Sequence, residues 1–347
     1  MISYTLRRLL QIVPLLLAAS VVIFTLLTLQ PGDPLDEIRQ QNPQLTAEQL
    51  KELEHAYGLD QPIYVRYFKW LGRVLQGDFG QSRTYAQPAA QYIFSERMPK
   101  TLALSGIALL LALMVAIPIG ILSAVRQYSL TDYSITFFSF VGFSTPVFFL
   151  GILLLYFFAI VLPEHPINFS IGSFDISWNW PALPTGGRPN IFWSDVTEGT
   201  INFFDFIGQW AYYLILPVMT LSLIQMATWT RFMRASLLEV LSQDFIRTAR
   251  SKGLAERKVL YKHALRNSLV PIVTLVGLAI PNIFGGAVIT ETIFSYPGMG
   301  TAILESLTGK DYNVAMAALT FLAVLTAFST LLADLLYAVV DPRIRYD

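Results

Sequence analysis

Apolar residues along this chain gather into six runs, at about 9–29, 101–124, 135–162, 212–230, 269–290 and 315–340. Each holds roughly 20 or more residues, the length an α-helix needs to cross a hydrocarbon core of about 30 Å. A transmembrane barrel would show segments of about ten residues with alternating character instead. The pattern predicts an all-α, polytopic membrane protein with six transmembrane helices. Arg7 and Arg8 precede the first run, as they would in a secretory signal. A signal's apolar core stops at about 7–15 residues, whereas this run continues to Pro31, so it reads as a retained first span.

The polar stretches between runs are unequal, and they set the domain plan. Residues 1–30 form a cytoplasmic tail and first helix, 31–100 an extracytoplasmic helical segment, and 101–347 a core with an insert at 163–209 and an inner loop at 231–267. Within 31–100, Thr46 followed by Gln49 has the capping-box spacing, with Gly58 as the stop of that helix. Pro62 opens a second helix through Leu75, ended by Gly77; Ile63, Tyr67, Trp70, Leu71 and Val74 share one face, with Arg66, Lys69 and Arg73 elsewhere. Such a helix suits a membrane surface or the underside of a partner. The insert carries Trp178, Trp180, Trp193, Gly186, Gly187 and several prolines, and reads as a turn-rich cap.

Charge fixes the orientation. With the N-terminus inside, the inner segments carry 14 basic residues against six acidic, among them nine Lys and Arg at 231–267 against Glu239, Asp244 and Glu256. The positive-inside rule then places both termini in the cytoplasm of a multi-pass cell-membrane protein. Of 347 residues 54% are hydrophobic and only 14% charged, against about a quarter charged in a soluble domain. The net charge is zero, which argues against a nucleic-acid partner, and the absence of cysteine excludes disulfides, thiolate zinc sites and thiol catalysis. His55, His165 and His263 are scattered, so no metal site is indicated, and no Ser–His–Asp spacing suggests hydrolysis.

The inner loop holds the chain's most informative residues. Phe245, Ile246 and Ala249 share one side of a short helix from which Arg247 and Arg250 project, and Gly253 permits the left-handed backbone that ends it. A second helix, Ala255 to Leu265, carries Val259, Leu260 and Ala264 inward. Spacing alone gives a helical hairpin at the membrane surface, equally consistent with attraction to anionic lipid.

The segment resembles the coupling loop of binding-protein-dependent ABC importer permeases. That pattern is Glu-Ala-Ala, three residues, Gly, nine residues, Ile-x-Leu-Pro. Ala249, Gly253 and Leu265 match, while the Glu, the Ile and the Pro do not. Arg247-Thr248-Ala249-Arg250-Ser251-Lys252-Gly253-Leu254 and His263-Ala264-Leu265-Arg266-Asn267 instead follow the peptide-transporting branch. Further matches are Arg7-Arg8-Leu9-Leu10, Pro31-Gly32-Asp33-Pro34, the 77–82 motif Gly-Asp-Phe-Gly-Gln-Ser, Thr290 to Gly300, and Asp341-Pro342-Arg343. The resemblance covers nearly the whole chain and is to the first permease subunit type. It implies an ABC importer type I-like permease fold with large extracytoplasmic segments. Its expected partners are a second homologous permease, two ATP-binding subunits, an extracytoplasmic solute-binding protein, a peptide substrate and the lipid bilayer. Asp244, Arg247, Thr248, Ala249, Gly253, Leu254, His263 and Leu265 would then contact an ATPase subunit. No cofactor is expected in this chain, with ATP and Mg in the partner subunits.

The chain's own chemistry fits that division. No phosphate-binding Gly-x-x-x-x-Gly-Lys-Ser/Thr loop occurs, and Gly309-Lys310-Asp311 lacks its flanking residues. Gradient-driven carriers bury ionisable groups mid-membrane, and few are offered here: Asp334, with Arg231 or Arg234 as the expected partner, and Glu291 at the outer end of the fifth run. That run, with Pro271, Gly277, Pro281, Asn282, Gly285 and Gly286, is the candidate translocation pathway together with Glu291. Tight packing by small residues is the competing account. The expected cargo is di- or oligopeptides; a nickel or glutathione importer, a stand-alone secondary carrier and a membrane receptor or scaffold are the alternatives.

Overall fold

The computed structural model describes the chain except residues 1, 31–43, 57–59, 166, 172–173, 286–287 and 341–347. The expected stop at Gly58, the Pro31–Pro34 and Asp341–Arg343 motifs and Gly286 therefore lie outside the described residues. The chain divides into two compact units. One holds residues 1–99 with Ala302–Leu331; the other holds Lys100–Thr301 with the chain from Leu332. The first thus joins stretches that the sequence reading assigned to different domains.

In the first unit, α1 (Ile2–Thr28) meets α3 (Ile63–Val74), with α2 (Ala47–Ala56) between them in sequence. The capping box forms as expected: Thr46 N–H donates to Gln49 Oε1 (3.0 Å), and Gln49 N–H to Thr46 Oγ1 (3.3 Å). Trp70, 2% exposed, packs on Phe24 with ring centroids 5.4 Å apart. The motif at 77–82 is held by the start of α13 (Tyr312–Val340). Asp311 Oδ2 accepts from Ser82 Oγ (2.6 Å) and from the Arg83 and Thr84 amides (2.9 and 3.1 Å), and Asn313 Nδ2 donates to the Gln81 carbonyl (2.8 Å). Gly80 stands at φ +82°, where glycine is favoured, and a side chain there would also lie 2.8 Å from Asn313.

The second unit is built on α8 (Phe203–Leu241), whose 39 residues span about 58 Å. Against it pack α5 (Leu130–Ser144), α6 (Val147–Glu164) and α10 (Leu265–Gly285). Two surface pieces belong here: a two-stranded antiparallel hairpin, β1 (Ile167–Ile171) and β2 (Phe174–Trp178), and α7 (Trp193–Thr197). The fold is the all-α, polytopic one expected, with this hairpin as a small surface addition whose extended pairing satisfies its backbone groups. The third apolar run is divided. It forms two helices, because Pro146 bars the preceding residue from the helical region. Thr145 accordingly sits at φ −82°, ψ 122°, and its hydroxyl donates to the Val141 carbonyl (2.7 Å). Pro118 and Pro217 lie inside continuous helices, so of these three prolines only Pro146 interrupts one.

Five described helical stretches are long and apolar enough to cross a membrane: Thr5–Thr28 of α1, α4 (Ala89–Val125), α6, α8 and Tyr312–Leu335 of α13. The fifth predicted span corresponds to α10, at 21 residues about 31 Å long. Large apolar residues such as Leu10, Val22, Leu110 and Ile152 are exposed along these helices, as a lipid-facing surface requires.

Candidate functional site: an exposed elbow and a buried carboxylate

After α8 the chain turns through α9 (Asp244–Ser251), a short helical turn Glu256–Lys258 and a π-helical turn Val259–Ala264 that runs into α10. Ile246 is fully buried and Ala249 7% exposed. They join Val259 and Ala264, Met233, Leu237 and Val240 of α8, Ala124 of α4 and Ile272 of α10 in one apolar cluster. Phe245, placed on the inward face by the sequence, is instead exposed, since only two positions of so short a helix fit the core.

The helix ends in a double-bonded C-cap. Leu254 N–H donates to the Ala249 carbonyl (3.4 Å) and Gly253 N–H to the Arg250 carbonyl (2.9 Å). Gly253 stands at φ +71°, and Leu254 packs on the cluster containing Ala249. The outer side is polar and open: Asp244, Arg247, Thr248, Ser251 and Lys252 are exposed. Arg250 clamps Glu256 through Nε (3.1 Å) and Nη2 (2.5 Å), which holds the Glu256 carboxyl below its usual range. Ala255, Arg257, Lys258 and Tyr261 line an open recess of about 520 Å³. His263 and Leu265 are half-buried at the far side of the bend.

Where α8 approaches the elbow, a residue pair not found from sequence holds it. Arg234 Nε and Nη2 contact Asp132 Oδ1 and Oδ2 at 2.7 and 2.8 Å. The same carboxylate accepts from the Ser123 hydroxyl and from the Tyr128 amide (2.9 Å). Arg234, one of the two partners expected for Asp334, is thus engaged by Asp132; Arg231, the other, lies over the Phe140 and Phe143 rings, at 5.1 and 4.3 Å. The available signal was Ser129 three residues before Asp132, a helix-start spacing that brings the acid to a fixed place.

The second constellation is built on Glu291, in α11 (Val288–Ile293), and is fully buried. Oε1 accepts from Thr101 Oγ1 (2.7 Å) and Oε2 from the Thr301 amide (3.1 Å), while Thr101 Oγ1 in turn accepts from the Met299 amide (2.7 Å). The carboxylate thus sits at the N-terminus of α12 (Met299–Thr308), where backbone donors and the helix dipole favour negative charge. A side chain at Gly298 would come within 2.3 Å of Oε1, and one at Gly300 within 2.8 Å of Oε2, which explains both glycines. Gly187 N–H donates to the Phe294 carbonyl (2.7 Å), fastening the insert onto this segment.

Of the remaining pathway candidates, Pro281, Asn282 and Gly285 lie in the last turns of α10. Gly277, earlier in that helix, faces Ala333, where an added methyl would make ordinary contact at 3.4 Å. Among the described residues no three His, Asp or Glu side chains converge to hold a metal ion.

Comparison with known proteins decides the family. A model described as "Binding-protein-dependent transport system inner membrane component" matches residues 116–346, and one for the N-terminal part of such membrane components matches residues 1–105. The chain belongs to this family of transport permeases. It is 40% identical over 346 residues to the oligopeptide transport system permease protein AppB of Bacillus subtilis, covering 100% of both chains. It is 36% identical to the dipeptide transport system permease protein DppB of Haemophilus influenzae (100% of both) and 34% identical to that of Escherichia coli (100% of this chain, 99% of the other). This permease is therefore a transporter subunit rather than an enzyme, a multi-pass membrane protein that works with other transporter components.

Proposed function

We propose that the permease carries di- or oligopeptides delivered by an extracytoplasmic solute-binding protein, driven by ATP hydrolysis in two partner subunits, beside a second homologous permease. The observation that supports this most is the elbow at 244–265: its apolar side is sunk into the core of α8, α4 and α10, and its charged side is open. A push on an element so rooted moves the helices that carry it, because a packed core transmits displacement rather than absorbing it. Asp244, Arg247, Thr248 and Leu254 would meet the ATPase subunit, with Ala249 and Gly253 setting the angle of α9 and His263 and Leu265 that of the return. This assignment places the elbow and both termini in the cytoplasm, and residues 31–100 and 163–209 outside. ATP and Mg would be bound by the partner subunits. Along α10, Pro281, Asn282 and Gly285 would line the pathway, with Gly286 the further candidate by sequence; Glu291 would close its outer end as a structural carboxylate.

Full-length complex reconstituted in liposomes, with Ala249→Trp or Gly253→Trp in this chain, is expected to keep ATPase activity while losing most ATP-driven peptide uptake. Uptake at the wild-type level would overturn the role of the elbow. Nucleotide-free uptake by this chain alone would overturn the reading as an ATP-driven subunit.

A further inference from the structure

Helix α3 has three faces where a surface helix of a soluble protein has two. At about 100° per residue, Ile63, Tyr67, Trp70 and Val74 cluster on one side, and Tyr67 and Trp70 are the residues that meet α1. Tyr67 Oη bonds Ser20 Oγ (2.8 Å), and the Tyr67 and Trp70 rings lie 5.6 and 5.4 Å from Phe24. About 110° around the helix, a second apolar stripe is open: Tyr64 is 63% exposed, Phe68 67%, and Leu75, the helix's C-cap, 79%. Roughly 150° from that stripe stand Arg66, Lys69 and Arg73; the helix contains no acidic residue. The α1 contact therefore points sideways, with an apolar side and a basic side facing nearly opposite directions.

The height of the helix follows from its partner. Ser20 and Phe24 lie eight and four residues before the end of α1 at Thr28, about 12 and 6 Å along its axis. The contacts that hold α3 therefore all lie within about 12 Å of that end. Interfacial helices bury their apolar side about 5–10 Å into the boundary between headgroups and acyl chains, with cations among the phosphates. At the same depth, away from this contact, α1 exposes Val21, Val22 and Leu26 as lipid-facing residues, so acyl chains reach the level at which α3 is held.

We propose that α3 lies in the phospholipid leaflet where α1 ends, with Tyr64, Phe68 and Leu75 in the acyl chains and Arg66, Lys69 and Arg73 at the phosphates. It anchors the segment that follows α1 to the bilayer surface, independently of which solute is carried.

This chain has no cysteine, so labelling it before assembly with its partner subunits puts the nitroxide at one position. Phe68→Cys, Lys69→Cys and, as a lipid-facing standard, Val22→Cys would each carry a nitroxide in the full transporter, in phosphatidylcholine–phosphatidylglycerol vesicles. Collision with oxygen and with a water-soluble nickel chelate is then measured by spin resonance. The label at 68 is expected to match that at 22, favouring oxygen several-fold over nickel, with the ratio reversed at 69. Nickel access at 68 equal to that at 69 overturns the proposal in favour of a water-exposed helix. Shielding of 68 from both reagents overturns it in favour of a protein partner, and retained ATP-driven uptake by each labelled complex confirms that folding was intact.

Discussion

Two stretches of the same unit carry the most recognisable motifs of the chain, and they handle polarity in opposite ways. The elbow at 244–265 sinks Ile246, Ala249, Val259 and Ala264 into the core and leaves Arg247, Thr248 and Lys252 to solvent. The segment at 288–301 turns the Glu291 carboxylate inward and closes on it with the Thr101 hydroxyl and the Thr301 amide. Water solvates an exposed cation at little cost, whereas a buried carboxylate must be matched by donors. Another molecule can therefore meet the elbow without rearranging it. The Glu291 carboxylate, with no exposed surface, is engaged by the permease's own Thr101 and Thr301.

The contrast is broken most directly at its buried side. Glu291→Ala strands two donors and a hydrogen-bond relay, a loss of about 3 kcal/mol. The expected outcome is a clear fall in the thermal unfolding midpoint of the detergent-purified protein, while Arg247→Ala on the exposed side shifts it by no more than about 0.5 kcal/mol equivalent. Equal shifts would erase the distinction. A smaller effect is expected at Gly253. No atom lies within 4 Å of an added methyl there, so Gly253→Ala costs only the left-handed backbone, about 1 kcal/mol. Gly298→Ala, which has Glu291 Oε1 at 2.3 Å, should cost more, and the order of those two variants in a denaturation series tests the assignment.

The smallest effect concerns pH. Bonding to Arg250 lowers the Glu256 carboxyl below its usual 4.5, so the pair's stabilisation is present above that value and is lost as pH falls through the lowered one. Both side chains are largely exposed, which limits the contribution to less than about 1 kcal/mol. Hydrogen exchange of the elbow amides between pH 7 and pH 3 should show a small loss of protection in the wild type that Glu256→Gln lacks.

Much of this was legible in the residues. The capping box at Thr46 and Gln49, the opening of α3 at Pro62 and the left-handed stop at Gly253 each depend on residues a few positions apart, and each stands where spacing placed it. The partners of Asp132, Asp311 and Glu291 lay 102, 229 and 190 residues away, and no local pattern names them. Phe245 shows the limit within a single helix: periodicity put it inward, but the core beneath α9 admits only Ile246 and Ala249.

The sequence by itself determined the class of molecule, the order of its apolar runs and the polarity of the 231–267 loop, because hydropathy and turn chemistry act over one span or one turn. Tertiary structure alone decided which charges are buried and paired, where proline breaks a span, and which glycines are held by close approach rather than by backbone angle. Those outcomes depend on the space that distant segments leave for one another, and that space exists only after the helices have packed.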